Sequence, residues 1–410
     1  EVRFKDVSFK DLNQQSVPPE QTSSRFRMQQ LDQFYYAWSA DAGDIDRDGN
    51  LDVVAGPYYY LGPDFTKRRE IYLVTTFNPS TQFTNNMVNY IYDFTGDGWP
   101  DLLAGQGRPM NLYVNPKGEN RRWEKFSVLP QIDSELALMK DIDGDGKPEI
   151  VFGSKATLFY GKPDPANPTA PWIARQVSES GYAYGHGMGV GDINGDGRPD
   201  IIQAAGWWEQ PPAGNTGLWT YHSYGFGRWG RSEGAGGSQM AVYDVNGDGL
   251  NDVVGGLNAH GWGLAYFEQK REGGKITFNR HMIIDNFATK NAGNVVISEM
   301  HAANYADIDG DGVIDFITGK RSFSHLDSYT DADPFGQAVL YWFRTVRNPK
   351  APGGAEFVPE LIHNRSGVGS HFAVVDINKD GAPDILTSTN RGTFIFYNTR
   401  GASKPVSQRR

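Results

Sequence analysis

Apolar residues in this chain come in short runs, none longer than about six, broken by turns rich in Gly, Asp and Asn. Runs of that length bounded by turn residues read as buried β-strands rather than helices. Seven of them share one context, each directly following an Asp-rich segment: Leu51–Val54, Leu102–Ala104, Ile150–Phe152, Ile201–Ile202, Val253–Val254, Phe316–Thr318 and Ile385–Leu386. A second, aromatic strand follows in most units, at Asn111–Val114, Leu158–Tyr160, Leu264–Phe267, Val339–Phe343 and Phe394–Tyr397. A further strand follows that, as at Trp123–Val128, Trp172–Val177 and Phe357–Ile362. The last unit runs out of chain one strand early, while Arg25–Met28 stands before the first unit as a spare strand. The pattern therefore predicts four-stranded units, with the N-terminal strand completing the last one and removing an open sheet edge.

The Asp-rich segments are copies of Asp-x-Asp/Asn-x-Asp-Gly-x-x-Asp. The seven are Asp44, Asp46, Asp48, Asp52; Asp93, Thr95, Asp97, Asp101; Asp141, Asp143, Asp145, Glu149; Asp192, Asn194, Asp196, Asp200; Asp244, Asn246, Asp248, Asp252; Asp307, Asp309, Asp311, Asp315; and Asp376, Asn378, Asp380, Asp384. Oxygens at positions one, three, five and nine, with Gly at position six for the sharp turn, suit a hard cation such as Ca²⁺. An EF-hand would need a Glu at position twelve, where this chain has Ala55, Ala104, Phe152, Gln203, Gly255, Thr318 and Thr387. The loops recur about every 50 residues, stretching to about 70 near the C-terminus, which is the period of a four-stranded propeller blade with insertions. The expected architecture is all-β: a seven-bladed β-propeller over residues 25–400, closed by the N-terminal strand, with an extension at 1–24 and a tail at 401–410.

These units resemble FG-GAP (VCBS-type) repeats, the calcium-loop blades of integrin alpha-subunit propellers and of many secreted microbial proteins. The resemblance implies up to seven structural Ca²⁺ ions. The loops hold 24 of the 49 acidic residues, and seven bound ions would move the formal charge from −10 to about +4. Millimolar calcium outside cells suits such sites, so a secreted or periplasmic location is expected. The absence of Cys excludes a thiol nucleophile, a disulfide scaffold and Cys-ligated metals. No segment is apolar enough to span a membrane as a helix. Nothing at Glu1 reads as a signal peptide, so any such segment is expected to have been removed. The acidic balance argues against a nucleic-acid partner, and oligomeric state is not legible.

If each calcium loop joins a unit's innermost strand to its second strand, the residues before the first and after the second meet on the opposite face. The first set reads Trp38, Asn86, Glu135, His186, Gln239, His301 and His371. The second reads Tyr58–Tyr60, Gln106 with Arg108, Lys155, Trp207 with Trp208, Asn258 with His260, Lys320 with Arg321, and Asn390 with Arg391. His325 lies farther along the long insertion of the sixth unit. Channel-lining polar residues that bind one another and water are the plain alternative to a ligand site here. His222, His281 and His363 fall instead in outer-strand patterns facing solvent.

No Gly-x-Ser-x-Gly elbow and no phosphate-cradling Gly-x-x-x-x-Gly-Lys is present. Carboxylates facing the mouth are few (Glu135, Glu209, Glu299 and Asp327), which makes a glycosidase pair thin. A mouth rich in His, Lys, Arg and Tyr fits proton abstraction beside a carbonyl, and two or three His with Glu299 can hold Zn²⁺ or another divalent ion. The segments Glu299–Gly312, Thr318–Arg321 and Asn258–Glu268 resemble the propeller domain of aldos-2-ulose dehydratase and its bacterial relatives, which eliminate water from osones and 1,5-anhydrofructose. That resemblance implies a secreted carbon–oxygen lyase on an oxidised keto-sugar or keto-glycoside. In it His301 or His186 takes the proton, Lys320, Arg321 or a bound metal stabilises the enolate, and Tyr184 or His260 protonates the leaving oxygen. Trp207, Trp208, Trp262, Arg108, Glu299, His325 and His371 are then expected to bind a carbohydrate. Two alternatives stay open: a non-catalytic carbohydrate-binding or adhesion propeller using the Trp rings as platforms, and a polysaccharide lyase pairing uronates with Arg108, Lys320 and Arg321.

Overall fold

The computed structural model describes residues 18–106, 109–183, 186–228, 236–285, 290–325 and 331–401. Among the described residues, twenty-eight strands form five separate four-stranded sheets and one eight-stranded sheet. Each four-stranded unit is an antiparallel meander: 41–70, 86–129, 138–176, 188–223, 239–284 and 303–363, with 373–398 the seventh. The seventh has three strands of its own. Its fourth is Phe26–Asp32, which pairs antiparallel with Gly392–Asn398 from Phe26 opposite Asn398 to Asp32 opposite Thr393. The N-terminal strand therefore closes the array, as the spare strand in the sequence requires.

The expectation of seven separate blades is corrected. Five blades are separate sheets, and the fourth and fifth units run together through a parallel pairing of Met188 with Gln239 and Gly189 with Met240. The cause is a missing row of side chains. A Cβ on Gly189 would lie 2.7 Å from the Met240 carbonyl oxygen, and one on Gly191 would lie 2.6 Å from Val242 Cβ. Alternate glycines on one inner strand let the two backbones come within hydrogen-bonding reach.

Seven apolar clusters hold the ring, one at each junction of consecutive units. The junction of the seventh with the first packs Ala373, Leu386 and Tyr397 on Ala40, Val53 and Tyr60. Trp207 and Trp208, at opposite faces of one strand, fill two neighbouring junctions.

The Asp-rich loops add a polar seam. Position nine is buried, and in every loop but the third, where only Glu149 Oε2 accepts, both carboxylate oxygens are used by backbone donors. Asp252 accepts from Val245 N at 3.0 Å and Gln269 N at 2.7 Å, and Asp52 accepts from Ile45 N and Gly62 N. Asp101, Asp200, Asp315 and Asp384 repeat the arrangement. Burial pushes the carboxyls of Asp200, Asp252 and Asp315 up to about 7, against those hydrogen bonds. The carbonyl at position two then accepts a side chain of the next unit: Asn115 on Ile45, Gln210 on Ile142, Gln269 on Ile193 and Asn398 on Ile308. Residues 18–24 lie on the sixth unit, where Gln21 N donates to Asn364 Oδ1 and Glu20 meets His363.

Because position nine works as an internal staple, its loss should be felt without any cation. Asp252→Ala leaves the N–H groups of Val245 and Gln269 unpaired, at about 1–3 kcal/mol each. Urea unfolding in the presence of a chelator should show that loss for Asp252→Ala and less than about 1 kcal/mol for the exposed Asp248→Ala. Equal effects of the two would mean that Asp252 acts only as a cation ligand.

Candidate active site at the mouth opposite the loops

The residues preceding the inner strands and following the second strands do meet on the face away from the Asp-rich loops. His186 precedes the strand Met188–Gly191, and His301 precedes Ala303–Ala306. His260 follows Asp252–Gly256, Arg321 follows Asp315–Gly319, and Glu135 precedes Leu138–Lys140. The close approach of the fourth and fifth units brings His186 to His260, with Nε2 atoms 3.3 Å apart. The ring of His301 lies 5.3 Å from that of His186 and 5.0 Å from that of His260, centroid to centroid. One nitrogen from each of the three lies within 4.8 Å of the others.

Around this trio the polar contacts are dense. His186 Nε2 is 2.7 Å from Glu135 Oε2, and the other oxygen of Glu135 accepts from Arg321 Nη1 at 2.6 Å. Arg321 is 1 % exposed, donates also to Ser370 Oγ, and lies over the rings of Trp38 and Phe83. The guanidinium thus ties the sixth unit to the first, third and seventh across the axis. Burial opposes ionisation of Glu135, yet Arg321, His186 and His301 hold its carboxyl well below the usual carboxylate range. Burial, reinforced by Arg321, holds the His301 imidazole well below its ordinary value. Its ring nitrogens face Ser324 Oγ, and Nδ1 also faces the Glu299 carbonyl.

Glu299 is 1 % exposed and has a left-handed backbone, φ 60°. Its Oε1 accepts from Ala332 N, and its Oε2 lies 3.6 Å from His260 Nδ1 without a hydrogen bond. His325 is the most open member, its side chain half exposed, with its ring 4.3 Å from that of His260. Its Nδ1 is bonded to the buried Asp331, which raises the imidazole above its ordinary value. Asp331, Ser324 and Ser370 complete the site and carried no individual signal in the sequence; Asp331 sits in the insertion marked there only by its length.

Several expected members lie elsewhere. Trp207 and Trp208 are 2 % and 1 % exposed and belong to the core, with Trp207 stacked on His222, so neither is a platform for sugar. Lys320 and Arg321, just past the strand Asp315–Gly319, serve different places. Arg321 enters the axial cluster, whereas Lys320 Nζ bonds Ser298 Oγ and lines a separate cleft. Trp262 is half-buried and bridges to Ser298. His371 meets Ser39 and the edge of Tyr90 rather than the other histidines. Asn390 and Arg391 hold the Ser322 segment. His363, expected to face solvent, is fully buried against Phe396 and Glu20. His222 and His281 sit on outer strands as expected, each paired with a glutamate. Tyr184, Arg108 and Asp327 lie outside the described residues.

The loops were tested for fit to a cation. In the first, oxygens of Asp44, Asp46 and Asp48 converge, and Asp44 Oδ1 and Asp46 Oδ1 are buried without a hydrogen bond, which suits a hard ion. In the third, oxygens of Asp141, Asp143 and Glu149 converge as well, and Lys162 Nζ reaches Asp143, Asp145 and Glu149, so an ammonium stands among its carboxylates. That Lys comes from the same unit's third strand, Thr157–Lys162.

A model of the FG-GAP-like repeat matches residues 93–152 and 141–203. No curated protein matches the chain. Among solved structures, an Agrocybe aegerita lectin described as recognising non-reducing terminal N-acetylglucosamine is 19% identical, with 83% of this chain and 81% of that chain covered at TM-score 0.48. The rhamnogalacturonan lyase YesW is 14% identical, with 94% and 75% covered at TM-score 0.45. The biofilm matrix protein Bap1 of V. cholerae is 11% identical, with 90% and 77% covered at TM-score 0.36. These findings do not show a relationship to aldos-2-ulose dehydratase.

His371 offers a test of the burial of this face. Burial lowers its pKa from 6.5 to about 4. It therefore contributes stability above pH 6.5 that is lost as pH falls toward 4, on the order of 3 kcal/mol in all. His371→Gln should flatten the pH dependence of unfolding free energy across that window; an unchanged slope would place the His371 ring in solvent. The chain is thus an all-β propeller in which residues 93–152 and 141–203 match the FG-GAP-like repeat.

Proposed function

We propose that the axial cluster is the active site of a carbon–oxygen lyase that removes water, or a β-linked alcohol, from an oxidised sugar. The observation that carries this is the convergence of His186, His260 and His301 with the Glu135–Arg321 pair at one mouth. Three imidazoles with a fourth position open are the ligand set of a catalytic divalent site. The unpaired buried atoms His186 Nδ1, His260 Nδ1 and Glu299 Oε2 fit a group that adds a positive charge. His186, His260 and His301 would hold such an ion, Zn²⁺ or a similar metal, and when bound it supplies polarisation of the substrate carbonyl.

The chain's own residues do the rest. His325, held through Nδ1 by Asp331, presents Nε2 to take the proton from the carbon beside the carbonyl. The electron pair left on that carbon forms the new double bond as the hydroxyl or alkoxyl leaves the next carbon, and the proton returned to it makes water or an alcohol. Arg321 and Glu135 fix His186. The burial of Trp207 and Trp208 weighs against the lectin-like reading. Commitment of the Arg321 guanidinium to Glu135 weighs against uronate pairing.

Glucosone and 1,5-anhydrofructose are the substrates to assay, by the ultraviolet absorbance of the conjugated enone produced. His325→Ala should lower turnover about 100-fold or more with an unchanged melting temperature, and His301→Ala should lose both turnover and bound metal. Full turnover by His325→Ala would remove it from the reaction. Calorimetric binding of these sugars without product would replace the lyase with a binding protein.

We assign hard divalent cations, Ca²⁺ outside the cell or in a periplasm, to the loops other than the third. At calcium 100 times its Kd, each occupied loop adds about 2.7 kcal/mol. Chelation should lower the melting temperature, and Asp44→Ala should diminish that response. Asp143→Ala should leave the response intact, since Lys162 stands there; a diminished response would restore the third loop as a calcium site.

A further inference from the structure

A cleft of about 1200 Å³ lies between the sixth and seventh units and the segment Pro18–Glu20. It is large enough to bury a small ligand. Ser298, Lys320, Asp333, Phe335, Arg391 and Phe394 are on its wall, and none of His186, His260, His301 or His325 is. It is therefore separate from the axial mouth.

Lys320 is the chemically unusual group on that wall. Its backbone is fixed on both sides, N–H to the Val339 carbonyl and C=O from Val368 N. Its side chain is 2 % exposed. Nζ lies 2.5 Å from Ser298 Oγ and 3.3 Å from the Ala332 carbonyl, while Ser298 Oγ itself donates to the same carbonyl at 2.8 Å. Among the described residues no carboxylate forms an ion pair with it; Asp333, Glu299 and Asp331 act on it only from a distance. An ammonium brings three N–H donors and meets two neutral acceptors, so the charged form leaves a buried donor unpaired. A neutral amine fits both acceptors and keeps a lone pair. Burial lowers the Lys320 pKa accordingly.

We propose that Lys320 is the amine nucleophile of this second site and condenses, through Nζ, with the carbonyl carbon of a small hydroxylated aldehyde or ketone. The lone pair of Nζ forms the C–N bond, and a proton from nitrogen passes by way of the Ser298 hydroxyl to the carbonyl oxygen. That oxygen leaves as water, the second proton coming from nitrogen, and an imine remains. No oxidant or reductant is consumed. Gln337 and Asn364 in the cleft supply polar groups for the substrate hydroxyls, and Phe335 an apolar face. The proposal does not depend on the axial site.

The test is reductive tagging with glycolaldehyde and cyanoborohydride at neutral pH, read by peptide mass spectrometry on the full chain. The exposed Lys67 and Lys350 are internal references. The rate at Lys320 relative to Lys67 should be greater in the folded protein than in the urea-unfolded chain, where the two amines are equivalent. Ser298→Ala should slow tagging at Lys320 and leave Lys67 and Lys350 unchanged. A folded-state ratio at or below the unfolded one overturns the proposal, and an unaltered rate in Ser298→Ala overturns the proton relay.

Discussion

The ring depends on a carboxylate that has been taken out of water. At position nine of six of the Asp-rich loops the aspartate accepts backbone N–H groups from both ends of its neighbourhood, and a buried carboxylate without such partners would be costly. The same geometry turns the carbonyl at position two outward to the next unit, where Asn115, Gln210, Gln269 or Asn398 meets it. One motif thus orders a loop, the sheet that carries it and the junction to the following sheet. The apolar clusters supply most of the attraction between units, being the non-directional term; the carboxylate seam fixes their register.

A ring so constructed separates two kinds of chemistry onto two faces. The loops gather oxygen ligands, and the opposite mouth gathers imidazoles and one buried ion pair. Burying an ion pair is expensive, and removing one partner costs more than the pair contributes. Arg321 and Glu135 are therefore a specificity device as much as a stabilising one. Their pairing requires the third and sixth units to sit across the axis from one another, and it fixes the position of His186. Alternate glycines at 187, 189 and 191 act in the same direction by drawing the fourth and fifth units together.

Much of this is legible in the sequence because the repeat is periodic. The loop motif places the second strand of every unit within three residues, and the spare strand before Asp44 announces closure. The mouth is legible by topology alone, since residues before one strand and after the next must meet: Glu135, His186, His260, His301 and Arg321 all follow from that rule. What escapes is side-chain direction. Lys320 and Arg321 are adjacent in sequence, yet Lys320 bonds Ser298 on the wall of a cleft while Arg321 enters the axial cluster. Trp207 and Trp208 lie beside a glycine-rich loop and still turn into two cores, since both faces of a blade strand are covered. Lys162 entering the third loop has no counterpart in the loop pattern, because it comes from a different strand.

The most direct test of the axial site is anomalous diffraction at the zinc edge from crystals grown with zinc and calcium together. The account places a zinc peak about 2.0–2.1 Å from one nitrogen each of His186, His260 and His301. Ordered imidazoles with no peak between them, in crystals whose Asp-rich loops carry calcium, would contradict it.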